Sequence, residues 1–193
     1  MPGPSVVPRD GGSAMLEGED RDDRMSRTTT EGDAMTDWQQ RVDDVWASAD
    51  ELGELEVVRQ IDELAAELAV DDPRGPFETG GARDSAGLEA EAEHQYRRAL
   101  ELGLSGRPRV ECLIQLASTV RNLGRPHEAL SLLLEAERDP HDLGDAISAF
   151  RALALVDAGD ARRAASVAVA ALAGHLPQYA RAARAYTAEL LGE

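Results

Sequence analysis

The 193-residue chain contains no lysine, a single cysteine and few aromatic residues. All 20 basic residues are arginine, as expected from a GC-rich genome, so the choice of arginine over lysine says little about function. The one cysteine, Cys112, excludes an intramolecular disulfide framework and a multi-thiolate metal site, and its apolar neighbours favour a structural role. Aromatic residues make up 4% while alanine and leucine are abundant, a composition that suits packed helices better than strands.

Long apolar runs are also missing. The longest nearly apolar run, residues 164–174, is too short and too rich in alanine to span a bilayer. The chain begins Met-Pro-Gly-Pro, without a basic start followed by an apolar stretch, so we expect no secretory signal. These features predict a cytoplasmic protein.

The negative charge is concentrated in the first part of the chain. Residues 1–72 hold 20 of the 37 acidic side chains but only 6 of the 20 arginines, so most of the net charge of -17 lies there. Such a surface repels phosphate, which argues against binding nucleic acid or an anionic membrane.

Residues 1–35 show no helical or strand period, and they are rich in glycine, serine, threonine, aspartate and arginine. They cannot bury enough apolar surface to offset the entropy of ordering, so we predict a disordered N-terminal tail. Met35 stands directly before the first periodic segment, which leaves two alternatives for the native start, Met1 and Met35. In the second case residues 1–34 are not part of the native protein.

Residues 36–72 are predicted to form an acidic pair of helices. The first helix begins at Thr36 with Trp38, Val42, Val45 and Trp46 on one face, and the second covers residues 51–69. Its predicted apolar stripe consists of Leu55, Val58, Ile61, Leu64, Ala65 and Leu68. The pair is either a solubilising cap or a surface that attracts a basic partner or covers a groove.

From residue 73 onward the sequence repeats itself. Gly87, Gly124 and Gly159 are spaced by about 35 residues, and each is predicted to end a helix in a left-handed conformation. Small residues recur at fixed offsets from each glycine, which lets antiparallel helices approach closely. These are Gly80, Ala117 and Ala152 before it, and Ala92, Ala129, Ala164, Ala99, Ala136 and Ala171 after it. The positions nine residues after each glycine are Tyr96, Leu133 and Ala168.

This pattern resembles the tetratricopeptide repeat, a helix–turn–helix unit of 34 residues. The middle repeat matches best, at Leu113, Leu116, Ala117, Val120, Gly124, Ala129, Leu133 and Ala136. Residues 96–100, 113–125 and 175–179 are further similar to small bacterial members of the family that are common in actinobacteria. The resemblance implies an all-α fold, a right-handed superhelix of stacked antiparallel helix pairs (an α-solenoid), and a generic binding role.

The predicted helical repeat domain therefore covers residues 36–193. Its parts are the acidic pair 36–72, repeat 1 (73–106), repeat 2 (107–140), repeat 3 (141–175) and a C-terminal capping helix (176–193). Repeat 1 departs from the pattern because Gly80 and Gly81 are adjacent inside a helix, at a cost of roughly 1 kcal/mol each, and Arg83 occupies an apolar position. We accordingly expect residues 74–87 to form a short or frayed helix.

Four polar residues of repeat 2, Gln115, Ser118, Arg121 and Asn122, are the candidate peptide-binding site. They recur on the helix face opposite the apolar stripe, and in stacked repeats this first helix lines the concave surface. The alternative interpretation is an ordinary solvated helix face. Arg109 and Arg151 could add positive charge near the groove. The corresponding face of repeat 3 is apolar, with Ala146, Ala149, Leu153 and Val156, which argues against a clamp for a C-terminal carboxylate.

Catalysis and metal binding are not predicted. The four histidines (His94, His127, His141 and His175) lack ligand spacing, and no nucleophile–base arrangement or phosphate-binding loop is evident. We expect neither a cofactor nor an enzymatic activity, and the leading hypothesis is a scaffold or adaptor for a protein or peptide. The alternatives are a structural protein that self-associates, for example as a homodimer through the helix at residues 176–191, and a regulator that senses a small molecule. The apolar residues named for that helix are Leu176, Tyr179, Ala183, Tyr186 and Leu190.

Overall fold

A computed structural model describes residues 37–140 and 142–192. The predicted disorder of residues 1–35 and the predicted helix start at Thr36 lie outside the described residues. The chain divides into two compact units, Met1–Arg41 and Val42–Glu193. In the first unit the described residues, 37–41, are helical, and an ion pair joins Arg41 to Asp37 at 3.6 Å.

The described residues are all-helical, with no strand among them, which confirms the predicted fold class. Residues 37–47 (α1) and the short helix α2 (Ala49–Leu52) are followed by α3 (Glu54–Ala65). The helices of the repeats are α4 (Arg74–Ser85), α5 (Glu89–Glu101), α6 (Gly106–Asn122), α7 (Pro126–Ala136), α8 (Gly144–Asp157) and α9 (Ala161–Ala173), and α10 (Ala180–Leu191) follows them. Each helix from α3 onward packs against the next, as in a tetratricopeptide-like helical solenoid.

The periodic glycines end helices as predicted. Gly87, Gly124 and Gly159 have φ angles of 70°, 80° and 84°, a region in which a residue with a Cβ is strained. The residue after each glycine donates its backbone N–H back into the last helical turn, for example from Arg125 to the carbonyl of Val120 at 2.9 Å. This pattern satisfies carbonyls that would otherwise lack partners at the helix end. The next helix can then start within two residues.

The small residues at matching depths lie in the core, except Ala171, which is half-buried. Ala92, Ala129 and Ala164 are all buried, so the predicted close approach of the paired helices is confirmed. The main cluster extends from α5 to α8 and is centred on α6, which contributes Val110, Cys112, Leu113, Ile114, Leu116, Ala117 and Val120. The periodicity weakens in the third repeat, where Ala168 is exposed although Tyr96 and Leu133 are fully buried.

The helix expected to be short or frayed over residues 74–87 is not short, because α4 runs through 12 residues, and that it is frayed stays a prediction. A Cβ on Gly80 would lie 2.7 Å from Cδ1 of the buried Tyr96 ring, so the missing side chain makes room for the ring. Arg83 is held by Asp62, with its Nη1 at 2.8 Å from Oδ1 and its Nη2 at 3.1 Å from Oδ2. Packing and ion pairing thus outweigh the low helix propensity of the two glycines.

The prediction of one helix over residues 51–69 is also wrong. Gly53, with φ at 82°, separates α2 from α3, and α3 ends at Ala65. The apolar face of α3 consists of Val57, Ile61 and Leu64, which are buried, whereas Leu55 is exposed. Leu55 lies in the first turn of α3, directly after the break at Gly53, and it does not join Ile61 and Leu64 of the predicted stripe in the core.

Candidate functional site on the inner face

The helices α4, α6 and α8 form one layer of the solenoid, because α4 contacts α6 and α6 contacts α8. The backbones of α5, α7 and α9 stay farther apart from one another in the described residues. Long side chains bridge this wider layer, as in the ion pair between Arg97 and Glu128 at 2.5 Å. Closer spacing on one side makes a stack curve toward that side, so α4, α6 and α8 line the inner layer.

We define the inner face as the solvent-accessible side of α6 and α8 in this layer. It comprises Ser118, Arg121 and Asn122 of α6 and Ala149, Leu153, Val156 and Asp157 of α8. Helical spacing places the three α6 residues on one side of α6 and the four α8 residues on one side of α8. The two sets meet where Nε of Arg121 lies 3.7 Å from Oδ2 of Asp157. Three of the four predicted site residues therefore belong to one surface that also includes α8.

Gln115, the fourth predicted residue, is involved in the packing of the repeats. Its Oε1 accepts a hydrogen bond of 2.7 Å from the hydroxyl of Tyr96 on α5. A buried hydroxyl without a partner would cost about 1–3 kcal/mol, so this bond has a clear structural purpose. Gln115 thus has an internal role that the sequence pattern did not indicate.

A small polar network continues from this bond toward α4. The fully buried Thr119 lies with its Oγ1 2.9 Å from both Oδ1 of Asp84 and the backbone carbonyl of Gln115. Burial raises the pKa of Asp84 above its usual range, and the hydrogen bond from Thr119 partly opposes the shift. The pKa of Tyr96 is also raised, first by burial and then by the negative charge of Asp84. The network links α4, α5 and α6 by side-chain hydrogen bonds.

Trp46 of the acidic N-terminal segment lies against α4 next to this network. Its Cζ2 is at 3.3 Å from the position of a Cβ on Gly81, and its Nε1 donates to Oε2 of Glu78 at 3.0 Å. The second glycine of the pair therefore accommodates an indole ring. The sequence pattern placed Trp46 on an apolar helix face but did not indicate its partners.

Arg121 and Asn122 form the polar part of the inner face. Nη2 of Arg121 donates to Oδ1 of Asn122 at 2.9 Å, which keeps the carbonyl oxygen of that amide occupied. Asn122 is exposed, while Ser118, one turn earlier, is half-buried. The arginine is thus oriented by one neutral and one acidic neighbour. This arrangement can recognise a polar group without carrying a large excess of charge.

The apolar part of the inner face is on α8. Leu153 is 46% exposed and Val156 is 54% exposed, and Ala149 is exposed one turn before Leu153. The opposite side of α8 packs through Ala152 and Leu155 against Ala164 of α9. The exposed apolar residues are therefore not required for the core. Ala146, the fourth residue predicted for this face, is half-buried against the main cluster.

The two arginines expected near the groove are held by acidic residues around the C-terminal end of α7. Arg109 lies 2.5 Å from Glu135 and 2.8 Å from Asp139, and Arg151 pairs with Glu137. Their charge is thus largely balanced within the protein. The sequence could not show this, because the partners are separated by up to 30 residues.

The remaining candidate groups are the cysteine, possible metal ligands and possible membrane spans. Cys112 is buried, its Sγ lies 3.6 Å from the carbonyl oxygen of Tyr96, and burial raises its pKa to about 12, so the thiolate form is scarce at neutral pH. Among the described residues, no cluster of three histidine, cysteine or acidic side chains could hold a metal ion. Within the same ranges, no helix has the length and apolarity needed to cross a membrane.

A cleft of about 380 Å³ lies away from the inner face, between α3, α4 and α5. Its walls include small and apolar residues, among them Ala65, Leu68 and Gly75, together with the polar side chains of Thr79, Arg83 and Gln95. Arg83 is already paired with Asp62 there. The cleft is a second place, besides the apolar groove, where the small-molecule hypothesis can be tested.

A family model described as the tetratrico peptide repeat matches residues 73–190. The chain belongs to the tetratricopeptide repeat family. The match begins at the proline before α4 and extends into α10, so it includes the whole inner face. No curated protein and no solved structure matches the chain significantly. Members of this family generally serve as non-catalytic scaffolds for proteins, while the similarity to a bacterial subgroup stays a prediction.

Proposed function

We propose that this tetratricopeptide repeat protein is a non-catalytic scaffold or adaptor that binds a protein or peptide on the inner face of α6 and α8. The observation that carries the proposal is the pair of exposed aliphatic residues, Leu153 and Val156, beside the polar group of Arg121 and Asn122. An idle surface helix normally presents charged residues there. Apolar residues next to oriented polar groups are typical of peptide-binding grooves.

The two parts of the face would have separate roles in binding. Ala149, Leu153 and Val156 recur at i, i+4 and i+7, so they can take two or three apolar side chains of an extended or helical segment. Arg121 and Asn122 would bond the backbone or a polar side chain of the same segment. Ser118 could extend this polar contact by one helical turn. Gln115 would contribute indirectly, by holding Tyr96 and therefore the packing between α5 and α6.

The proposal can be tested by selecting peptides from a phage-displayed random library against the folded protein. Selected peptides should contain apolar residues at regular spacing, and the double variant Leu153→Asp with Val156→Asp should weaken their binding at least tenfold, about 1.4 kcal/mol. Arg121→Ala with Asn122→Ala should weaken binding less. Leu134→Asp is the matched control, since Leu134 is about as exposed as Leu153 but lies on α7. Equal binding by the control and the Leu153/Val156 variant would contradict the proposed site.

A further inference from the structure

The outer side of α10 has the composition of a protein interface. The chain has only three tyrosines, and while Tyr96 is buried, Tyr179 is 79% exposed and Tyr186 is 62% exposed. Ala182 is exposed one turn before Tyr186, and Arg181 and Arg184 are exposed beside them. Tyrosine and arginine are the residues most enriched in the energetic centres of protein interfaces. Ala183 and Leu190, named in the sequence analysis, are instead half-buried.

The backbone at the start of α10 is strained. Tyr179 is the one described residue other than glycine with a positive φ angle, 68°. A bulky side chain in this region costs free energy, and such strain persists where other interactions hold it. Here the backbone carbonyl of Tyr179 accepts the first helical hydrogen bond, from the N–H of Ala183 at 2.9 Å, while its ring stays in solvent. The backbone is thus strained at a residue whose aromatic ring is exposed.

The opposite end of the repeat stack carries the complementary charge. Residues 42–72 contain 11 acidic side chains and a single arginine, Arg59, whereas residues 158–192 contain four arginines and two acids. Arg59 is held by Glu56 and Glu63 at 2.5 Å, and the bonds from Arg59 and Gln60 lower the pKa of Glu56 to about 2. The other carboxylates of α2 and α3 therefore have no further basic side chain on these two helices to balance them at neutral pH.

An exposed apolar residue stands in the middle of this acidic end. Leu55 is exposed at the start of α3, with Glu51 and Glu54 exposed close to it in the sequence. The pattern is the counterpart of α10, where apolar residues are flanked by arginines. We propose that α10 of one molecule docks on the α2–α3 end of a second copy, with Tyr186 and Ala182 against Leu55 and with Arg181 and Arg184 facing Glu51 and Glu54.

The charges favour this head-to-tail arrangement over a symmetric pairing of two α10 helices. A symmetric contact between two α10 helices offers their arginines a single carboxylate per helix, Glu189, whereas the α2–α3 end offers Glu51 and Glu54 close to Leu55. A head-to-tail contact joins two different surfaces. A pair of bound molecules therefore still has one free α10 and one free α2–α3 end, to which further copies can bind. Open chains of molecules result, or rings where the rotation between successive copies closes. Neither surface includes the inner face of α6 and α8, so the inference is independent of the proposed peptide binding.

Sedimentation velocity with two blocked variants tests the arrangement. The tail-blocked variant carries Arg184→Glu and Tyr186→Ala, and the head-blocked variant carries Glu54→Gln and Leu55→Ala, so that the two altered surfaces do not regain a charge pair with each other. All four residues are exposed, and circular dichroism checks that both variants fold. The mass of the wild type should grow with concentration and fall toward that of a monomer near 1 M NaCl. Each blocked variant alone should stay monomeric, with association weakened at least tenfold.

An equimolar mixture of the two variants is the decisive sample. The intact α10 of the head-blocked variant can meet the intact α2–α3 end of the tail-blocked variant, so the mixture should form dimers and nothing larger. Leu134→Asp, on α7, is the matched control and should associate like the wild type. A head-blocked variant that still assembles alone would show that α10 pairs with itself and would overturn the proposal. A wild type that stays monomeric at all concentrations, or a mixture that stays monomeric, would overturn it as well.

Discussion

The middle and the C-terminal end of the repeat stack use the same helical pattern but bury very different side chains. α6 buries eight residues, including leucine, isoleucine and valine, between its neighbours. α10 buries only Thr187, and α9 buries Ala164, Ser166 and Ala173. Buried apolar area is the main source of stability. The matching small residues thus determine the geometry of a repeat, whereas the bulky residues between them determine its stability.

The largest expected effect concerns the middle of the stack. Leu133→Ala on α7 should lower the free energy of unfolding by about 2–5 kcal/mol, because Leu133 is fully buried and the change leaves a cavity. Urea denaturation followed by circular dichroism measures the difference. The adjacent Leu134 is half exposed, so Leu134→Ala should change stability by about 0.5 kcal/mol or less. Equal losses for both variants would contradict the burial pattern.

The next effect concerns the helix that propensity alone predicts wrongly. Gly80→Ala should destabilise the protein by about 1–3 kcal/mol, since the new Cβ would lie 2.7 Å from the Tyr96 ring and force it to move. At Gly81 the nearest atom, in the Trp46 ring, is at 3.3 Å, so Gly81→Ala should cost less. The same denaturation measurement compares the two. A Gly80→Ala protein more stable than the wild type would show that helix propensity dominates here.

A smaller and local effect is expected at the C-terminal end. Oγ of the buried Ser166 donates to the carbonyl of Thr187 at 3.0 Å and so joins α9 to α10. Ser166→Ala should cost about 1 kcal/mol. Hydrogen exchange should show faster opening of α10 with little change in α6, because each repeat contacts only its neighbours. Uniformly faster exchange along the whole chain would mean that the stack unfolds as one unit.

The smallest effect depends on pH and involves Asp84. Because burial raises its pKa in the folded state, the ionised carboxyl opposes folding above that pKa, and the penalty fades as the pH falls through it. Asp84→Asn should therefore be slightly more stable than the wild type at pH 7, since its amide oxygen can still accept the bond from Thr119. Denaturation at pH 7 and pH 4 should show this gain shrinking at the lower pH. A loss of stability at pH 7 would show that the network requires the carboxylate.

The candidate site shows where prediction from sequence succeeds and where it stops. Helical spacing alone places Ser118, Arg121 and Asn122 on one helix face, and their role in binding stays a prediction. Gln115 shares that spacing, yet its oxygen is bonded to Tyr96, which is 19 residues away. The partners of Arg109 and Arg151 were likewise invisible, because an ion pair depends on how two helices are set beside each other. Helical spacing indicates which residues share a face but not what that face meets.

The amino-acid sequence alone predicts the period of the repeat, the helix ends at Gly87, Gly124 and Gly159, and the burial of Ala92, Ala129 and Ala164. These features follow from backbone conformation and side-chain size, which act over a few residues. The three-dimensional packing is needed to show that Gly80 makes room for Tyr96, that Arg83 pairs with Asp62, and that Leu55 faces solvent. Each of these depends on the phase and spacing of separate helices. That arrangement is set by the packing of the whole stack.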